Sequence, residues 1–362
     1  MAMITVIERE GSANEMQRIL GLVAEGKHLG IPDAGRAFQI MMMGGATPAQ
    51  IAALLMGLRI NRETVEEITG AAMALRNKAK KLTVPEELRP RILDTCGTGG
   101  DKKGTYNIST AAAFVVAGCG IPVAKHGNMA VSSKSGSADV LRALGVNIDA
   151  AEDVMVRALT EAHICFLMAP RFHAAMREVA PIRRELAMRT IFNVLGPLIN
   201  PAMPERQVLG VYSRDLVEPL ARVLDHLGSK HAWVVHGADG MDELTTTGET
   251  YVAALENGQV RTFTITPEEY GLARPEDPNA LAGGEAMVNA QALRYLLAGH
   301  GKEEGHKLKP YRDIVLLNAA AALIVAGKAT DLHQGLALAA QSIDSGRAKT
   351  ALDKLVEITN AA

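Results

Sequence analysis

Asp94-Thr95-Cys96-Gly97-Thr98-Gly99-Gly100-Asp101 leads, a few residues on, into Thr105-Tyr106-Asn107-Ile108-Ser109-Thr110, where an alanine-rich helix opens. A second polar loop, Lys125-His126-Gly127-Asn128-Met129-Ala130-Val131-Ser132-Ser133-Lys134-Ser135-Gly136-Ser137, again runs into a helical pattern. Each follows a short apolar run, Ile92-Leu93 and Val123-Ala124. A strand, then a polar glycine loop, then a helix is the unit of an α/β fold, whose strands end at a ligand crevice. Free backbone N–H groups and the positive end of the helix dipole favour an anion there. Glycine lets the backbone approach closely and adopt φ > 0. Both loops therefore fit a phosphate-rich ligand.

The alternation continues downstream in the short apolar runs Ile164–Met168, Val208–Val211 and Ala232–Val235, most of them followed by glycine or a polar loop. Asn257-Gly258, between Tyr251–Leu255 and Val260–Ile265, predicts a β-hairpin. Helices are predicted around Ile314–Val325, Leu332–Ile343 and Ala351–Ile358. Upstream of Pro90 the pattern is helical. Thr47-Pro48-Ala49-Gln50 has capping-box spacing with proline at the first helical position, and Ile51, Leu54, Leu55 and Leu58 then share one face. Thr64 and Glu67 form a second box ahead of the stripe Ile68, Ala71, Ala72 and Leu75. Met16 to Val23 reads as a shorter helix stopped at Gly26, and Met41 to Met43 as core or interface filler. The expected organisation is a helical N-terminal domain over 1–90 and an α/β catalytic domain with a central, mostly parallel sheet over 91–362. Pro85 to Pro90 is the linker candidate, and the basic stretch Arg171 to Glu185 is expected to return to the helical part, near 171–190.

Totals exclude several classes. A chain of 362 residues with 48% hydrophobic residues can bury a sizeable core. Its formal net charge of −2 gives no global reason to expect nucleic acid or an anionic membrane as partner. Cys96, Cys119 and Cys165 lie far apart, without CxxC spacing, which suits a reducing cytosol. No apolar run approaches the ~20 residues that span a bilayer. Met1 to Gly11 lacks the basic-then-apolar order of a signal peptide. The expected location is the cytoplasm.

The glycine loop is neither of the two commonest phosphate loops. A G-x-G-x-x-G fingerprint starting at Gly97 needs glycine where Lys102 stands, and no G-K-[ST] triplet occurs. A tight strand-to-helix turn would need glycine alone, and leaves Asn107, Ser109 and Thr110 unexplained; Ser109 or Thr110 would ordinarily serve as a helix N-cap. In the second loop Lys125, Ser132, Ser133, Lys134, Ser135 and Ser137 supply donors with no acid before Asp139. His126 fits a structural or a substrate-contacting role equally. Asp239-Gly240-Met241-Asp242-Glu243 follows a predicted strand, and its adjacent carboxylates suit a hard cation shared with phosphate oxygens. Arg183 could clamp a carboxylate with its planar fork or simply pair with Glu185.

Together these motifs resemble the anthranilate phosphoribosyltransferase family: its GTGGD loop, its N-x-S-T helix start, its K-H-G-N loop, its D-E pair, and an F-N-x-x-G-P-L-x-N-P run seen here as Phe192 to Pro201. The resemblance spans nearly the whole chain. It implies a helical domain plus a nucleoside phosphorylase-like α/β domain, pairing of two copies through the helical domains, and transfer of phosphoribose from 5-phosphoribosyl 1-pyrophosphate to anthranilate in tryptophan biosynthesis. Carried over by residue, the phosphoribosyl donor is assigned to Gly97, Gly100, Asp101, Thr105, Asn107, Ser109, Thr110, Lys125, Ser133 and Ser137, with Ile108, His126, Gly127 and Ser132 as further substrate-binding residues. Mg2+ is assigned to Ser109, Asp242 and Glu243, and anthranilate to Gly97, Asn128 and Arg183. No general acid or base is assigned. Where the family pattern has arginine after K-H-G-N, this chain has Met129. An anthranilate synthase component is a candidate partner between chains. The alternatives are a pyrimidine nucleoside phosphorylase of the same architecture and a catalytically silent relative that binds nucleic acid.

Overall fold

The computed structural model describes residues 14–130 and 134–361. Ser132 and Ser133, and the N-terminal stretch read for a signal peptide, lie outside the described residues. The chain divides into two compact units, one of residues 1–80 and 170–201, the other of residues 81–169 and 202–362.

The first unit is helical. It comprises α1 (14–24), α2 (Ile31–Met42), α3 (Pro48–Asn61) and α4 (Val65–Lys78). Both capping boxes form as the sequence predicts: Thr47 with Gln50 opens α3, and Thr64 with Glu67 opens α4. Each box satisfies N–H groups that helix geometry leaves orphaned. The predicted apolar stripes of α3 and α4 are buried. Glu67 is buried too, because one oxygen accepts the Thr64 N–H and the other accepts the Leu29 N–H at 2.9 Å. Met41 and Met42 fill the core, whereas Met43 is exposed. The basic stretch expected as one helix is broken into the turn Ala169–Phe172, the 3-10 segment Ala174–Glu178 and the helix Ala180–Leu186, the last opening with Pro181 near its start.

The second unit holds a seven-stranded sheet in the order β3-β2-β1-β4-β5-β6-β7. Its strands are β1 (Leu93–Gly97), β2 (Val123–Gly127), β3 (Ile164–Met168), β4 (Arg206–Gly210), β5 (His231–Gly237), β6 (Thr250–Glu256) and β7 (Gln259–Ile265). The first five run parallel, and β6 and β7 close the edge antiparallel. Asn257 and Gly258 turn the hairpin with φ 48° and 82°. The interior strands β2, β1 and β4 are buried on both faces, as crossover helices require. α5 (Ile108–Gly118) is the most enclosed of these helices: its Ala111, Ala112, Ala113, Phe114, Val115 and Val116 are all buried. It packs against Lys309–Val325 and Arg347–Asn360, two of the predicted C-terminal helices. α6 (Ser137–Ala143) and α7 (Glu152–Glu161) lie between β2 and β3 in the chain. Among the described residues, no helix is long and apolar enough to cross a membrane.

Candidate active site

The strand order reverses between β1 and β4, and an open parallel sheet leaves its ligand crevice at that point. β1 ends in Gly97, β2 in Gly127 and β4 in Gly210. The acidic turn Asp239 to Glu243 closes over the ends of β1 and β4. A Cβ on Gly97 would lie 2.4 Å from the Asp242 carboxylate, and one on Gly210 would lie 1.6 Å from the Asp242 carbonyl oxygen. Only glycine at both strand ends admits the turn. Sequence reading singled out Gly97 and missed Gly210, although a glycine ending a predicted strand is the relevant signal.

The first loop leaves β1 through Gly99 and Gly100, both with positive φ. Its donors already have partners: Asp242 accepts the Gly99 N–H at 2.6 Å, and Glu243 accepts the Ser109 N–H at 3.1 Å. Ser109 and Thr110 are not the N-cap that their residue types suggest. Asn107 holds that position without a capping side-chain bond, and Ile108 starts the helix. The orphan N–H of Ser109 is instead met by Glu243 from 134 residues away, a carboxylate at the positive end of the helix dipole. Thr110 is buried.

Within the acidic turn the three carboxylates divide their work. Asp239 points back into its own turn, where it accepts the Met241 N–H at 3.1 Å and the Thr245 hydroxyl at 2.7 Å. Asp242 and Glu243 face α5 and the glycine loop. Behind them Asn318, the polar residue within the apolar run 314–325 of the helix Lys309–Val325, brackets Leu244: it accepts the Leu244 N–H at 3.1 Å and donates to the Leu244 carbonyl at 2.8 Å. A small cavity behind the turn is lined by Thr95, Ser109, Val208, Glu243 and Asn318. Asn318 was not read as a site residue, although an amide inside an alanine-rich apolar helix is a visible anomaly.

Charge in this crevice is unbalanced. Burial raises the Asp242 carboxyl above the ordinary carboxylate range, and the charge of Asp101 pushes it further. Burial raises Glu243 as well, and Asp242 adds to the shift. Lys125, itself almost wholly buried, counters the shift at Glu243. Its Nζ donates to the Thr95 carbonyl at 2.5 Å and to the Ser109 hydroxyl at 3.3 Å. Burial lowers the Lys125 ammonium, while Asp94 and Glu243 hold it up. Lys125 thus meets the crevice from behind Ser109. His126 is buried in β2, with its N–H donating to Asp94 at 3.4 Å.

The described part of the second loop is more open. Asn128 and Met129 are exposed, and the Asn128 side chain accepts the Met129 N–H at 2.8 Å. Asp139 closes the loop, accepting the Ala130 N–H at 2.8 Å and the Gly136 N–H at 2.9 Å. Ser137 donates to the Asn128 carbonyl at 3.5 Å. Thr105 and Asn107 are half-buried in the first loop, and Asp101 accepts the Lys103 N–H at 3.1 Å. In the helical unit Arg183 is half-buried, its guanidinium 5.0 Å above the Phe192 ring. Burial lowers its pKa, as expected of a cation partly removed from water.

Residues 17–79 match the helical bundle domain of the glycosyl transferase family, and residues 89–349 match the a/b domain of the same family. Anthranilate phosphoribosyltransferase of Paramagnetospirillum magneticum is 58% identical over 345 residues, which cover 95% of this chain and 96% of that protein. The chain belongs to the anthranilate phosphoribosyltransferase family. Its fold is that of the family: the crystal structure of anthranilate phosphoribosyltransferase from Thermus thermophilus superposes with a TM-score of 0.87 at 42% identity, covering 95% of this chain and 99% of that one. The Saccharomyces cerevisiae anthranilate phosphoribosyltransferase, solved in complex with PRPP and Mg, superposes with a TM-score of 0.85 at 28% identity, covering 96% and 98%. The same yeast enzyme has been solved with 4-fluoroanthranilate.

Proposed function

We propose that this chain transfers the phosphoribosyl group of 5-phosphoribosyl 1-pyrophosphate to the amine of anthranilate, releasing pyrophosphate, as a step of tryptophan biosynthesis. One observation carries the reading. Asp242 and Glu243 stand against the glycine loop and the start of α5, Asp242 holding the Gly99 N–H of the loop and Glu243 the Ser109 N–H of the helix. Two carboxylates at an anion site repel a bare phosphate but suit a polyphosphate that arrives with a cation. Phosphorolysis with inorganic phosphate needs no such pair.

The donor set fits Mg2+. Ser109, Asp242 and Glu243 offer hard oxygens, and burial, with the charge of neighbouring carboxylates added, raises the pKa of both carboxyls. Among the described residues, no cluster of three or more His, Cys, Asp or Glu could hold a metal alone. That suits an ion which takes its other ligands from phosphate and water. Neutralisation of charge at the departing pyrophosphate is the chemistry that Mg2+ supplies when bound.

The protein's own groups do the rest. The turns at Gly97 and Gly100, with Thr105, Asn107, Ile108, Ser109 and Thr110 at the head of α5, bind the phosphates of the donor. Lys125, His126, Gly127 and Ser137 form the second wall, and Asn128 is assigned to anthranilate; Ser132 and Ser133, assigned to the substrate by resemblance, lie outside the described residues. The aniline nitrogen of anthranilate is neutral near pH 7, so its attack requires alignment rather than a strong base. Alignment of this sort contributes ~7–11 kcal/mol to bimolecular reactions. Arg183, held over Phe192, is assigned to the anthranilate carboxylate. Arg183→Ala is expected to raise the anthranilate KM about tenfold with little change in that of the phosphoribosyl donor, the loss of one bidentate pair. The exposed Met43, Ile60, Met73 and Met188 of the helical unit support pairing of two copies through that unit. A cytoplasmic location, and any association with an anthranilate synthase component between chains, belong to the same reading.

The deciding experiment follows anthranilate fluorescence after mixing the protein with anthranilate, 5-phosphoribosyl 1-pyrophosphate and Mg2+, with EDTA as control. Magnesium-dependent loss with release of pyrophosphate is the expected result. No loss at saturating substrates, together with phosphorolysis of thymidine or uridine, would replace this reading by the phosphorylase.

A further inference from the structure

Behind the first loop runs a segment that no motif of the sequence marks. Residues 281–284 pair with the loop like a short strand: the Tyr106 N–H donates to the Leu281 carbonyl at 3.1 Å, and the Gly283 N–H donates to the Gly104 carbonyl at 2.8 Å. Thr105 and Ala282 form an antiparallel bridge. The approach is so close that a Cβ on Gly283 would lie 2.5 Å from the Thr105 carbonyl oxygen. From the helix that follows, Ala286–Leu297, the buried side chain of Asn289 reaches back into this contact.

The hydrogen bonds around Asn289 have only one consistent polarity. A backbone N–H can only donate, and the Gly284 N–H lies 2.7 Å from the Asn289 amide, so that atom is the oxygen, Oδ1. The other end of the amide is therefore its NH2. It donates at 2.9 Å to the Asn107 side chain, which must meet it with Oδ1. The Asn107 NH2 is then left on the far side, where it lies 3.4 Å from the Ser135 carbonyl of the second loop. One backbone amide thus fixes, through two side-chain amides, which end of Asn107 faces the gap between the loops.

We infer that Asn289 is a positioning residue for the phosphoribosyl donor. It touches no ligand, and it holds Asn107 so that a donor rather than a lone pair is turned to the anion. This rests on the reading that Asn107 belongs to the anion-binding set. Reversal of the Asn107 amide would replace an N–H by an oxygen beside phosphate, which is attraction changed to repulsion.

Asn289→Asp separates this role from a structural one. Aspartate still accepts the Gly284 N–H but cannot donate to Asn107, so Asn107 turns its NH2 inward and its oxygen outward. The measurement is calorimetric affinity for 5-phosphoribosyl 1-pyrophosphate with Mg2+, alongside KM and kcat. Affinity is expected to fall about tenfold, the scale of one hydrogen bond to a charged group, with the anthranilate KM unmoved. In an Asn107→Ala background the same substitution should have no further effect. Unchanged affinity in the single variant would overturn the inference. So would an equal loss in the Asn107→Ala background, which would mark a direct effect of the added charge. If the aspartate variant does not fold, Asn289→Ala decides: a fall in donor affinity that is absent when the same substitution is made in the Asn107→Ala background supports the inference, and unchanged affinity overturns it. Wild-type binding of the donor without consumption of anthranilate would instead strike at the acceptor in the proposed function and leave the role of Asn289 standing.

Discussion

The first loop, Gly97 to Asn107, is fixed by partners from far along the chain, whereas the described ends of the second, Gly127 to Ala130 and Lys134 to Ser137, are tied together by the nearby Asp139. Asp242 and Asn289 reach the first loop across 143 and 182 residues, and Glu243 reaches the head of α5 just beyond it across 134. In the second loop Asp139 gathers the N–H groups of Ala130 and Gly136 from nine and three residues away. Preorganisation of the first loop is therefore a property of the assembled sheet, and the tie between the described ends of the second is local. Each kind of constraint fails in its own manner.

The contrast is broken most sharply at Gly210. Gly210→Ala places a methyl group on the Asp242 carbonyl and drives the acidic turn off β4. Turnover is expected to fall on the order of a hundredfold or more, since displacements of about 1 Å have that effect in aligned sites. Steady-state kinetics with a thermal melt checks it, and a normal kcat would mean that the turn tolerates a second position. Next comes the charge of the turn. Asp242→Asn or Glu243→Gln keeps an acceptor for the loop N–H while removing a charge, so turnover should fall about tenfold or more and the Mg2+ titration should move to higher concentration. A Mg2+ curve like that of the wild type would remove these residues from the metal set. In the second loop Asp139→Ala leaves two N–H groups without their acceptor. Its cost is about 0.5–2 kcal/mol of local stability, and the KM for the phosphoribosyl donor should rise while kcat stays near the wild-type value. An equal fall in kcat would show that the two loops do not act separately. The smallest effect is expected at Met129, which is 39% exposed. Met129→Arg restores the cation of the family pattern beside the donor site, and should lower the KM of the phosphoribosyl donor about two- to fivefold, the range of a solvent-screened contact. An unchanged or larger KM would mean that the guanidinium does not reach the phosphates.

The same division describes what could be read from the chain. The β-runs, the Asn257-Gly258 turn, the two capping boxes and the glycine loop are each written within a dozen residues, because strand period, cap chemistry and positive φ are local demands. The Asp242-Glu243 pair was legible as acidic, since adjacent carboxylates after a strand stand out. Its partner was not. Nothing near Ser109 says that Glu243 will cap α5, and hydroxyls at that position read as the cap themselves. Gly210, Asn318 and Asn289 escaped for the same reason: each is an ordinary residue until another backbone lies against it.

By itself the sequence determined an α/β unit preceded by helices, two anion-binding loops, an acidic turn suited to a hard cation, and membership of a phosphoribosyl-transferring family. Only the tertiary structure decided which carboxylate faces which N–H, that Lys125 meets the crevice from behind Ser109, and which way the Asn107 amide points. The physical reason is range. Propensity and periodicity act over one or two turns of chain, whereas hydrogen-bond polarity and burial of charge are settled only when strand ends and helix starts distant in sequence converge on one crevice.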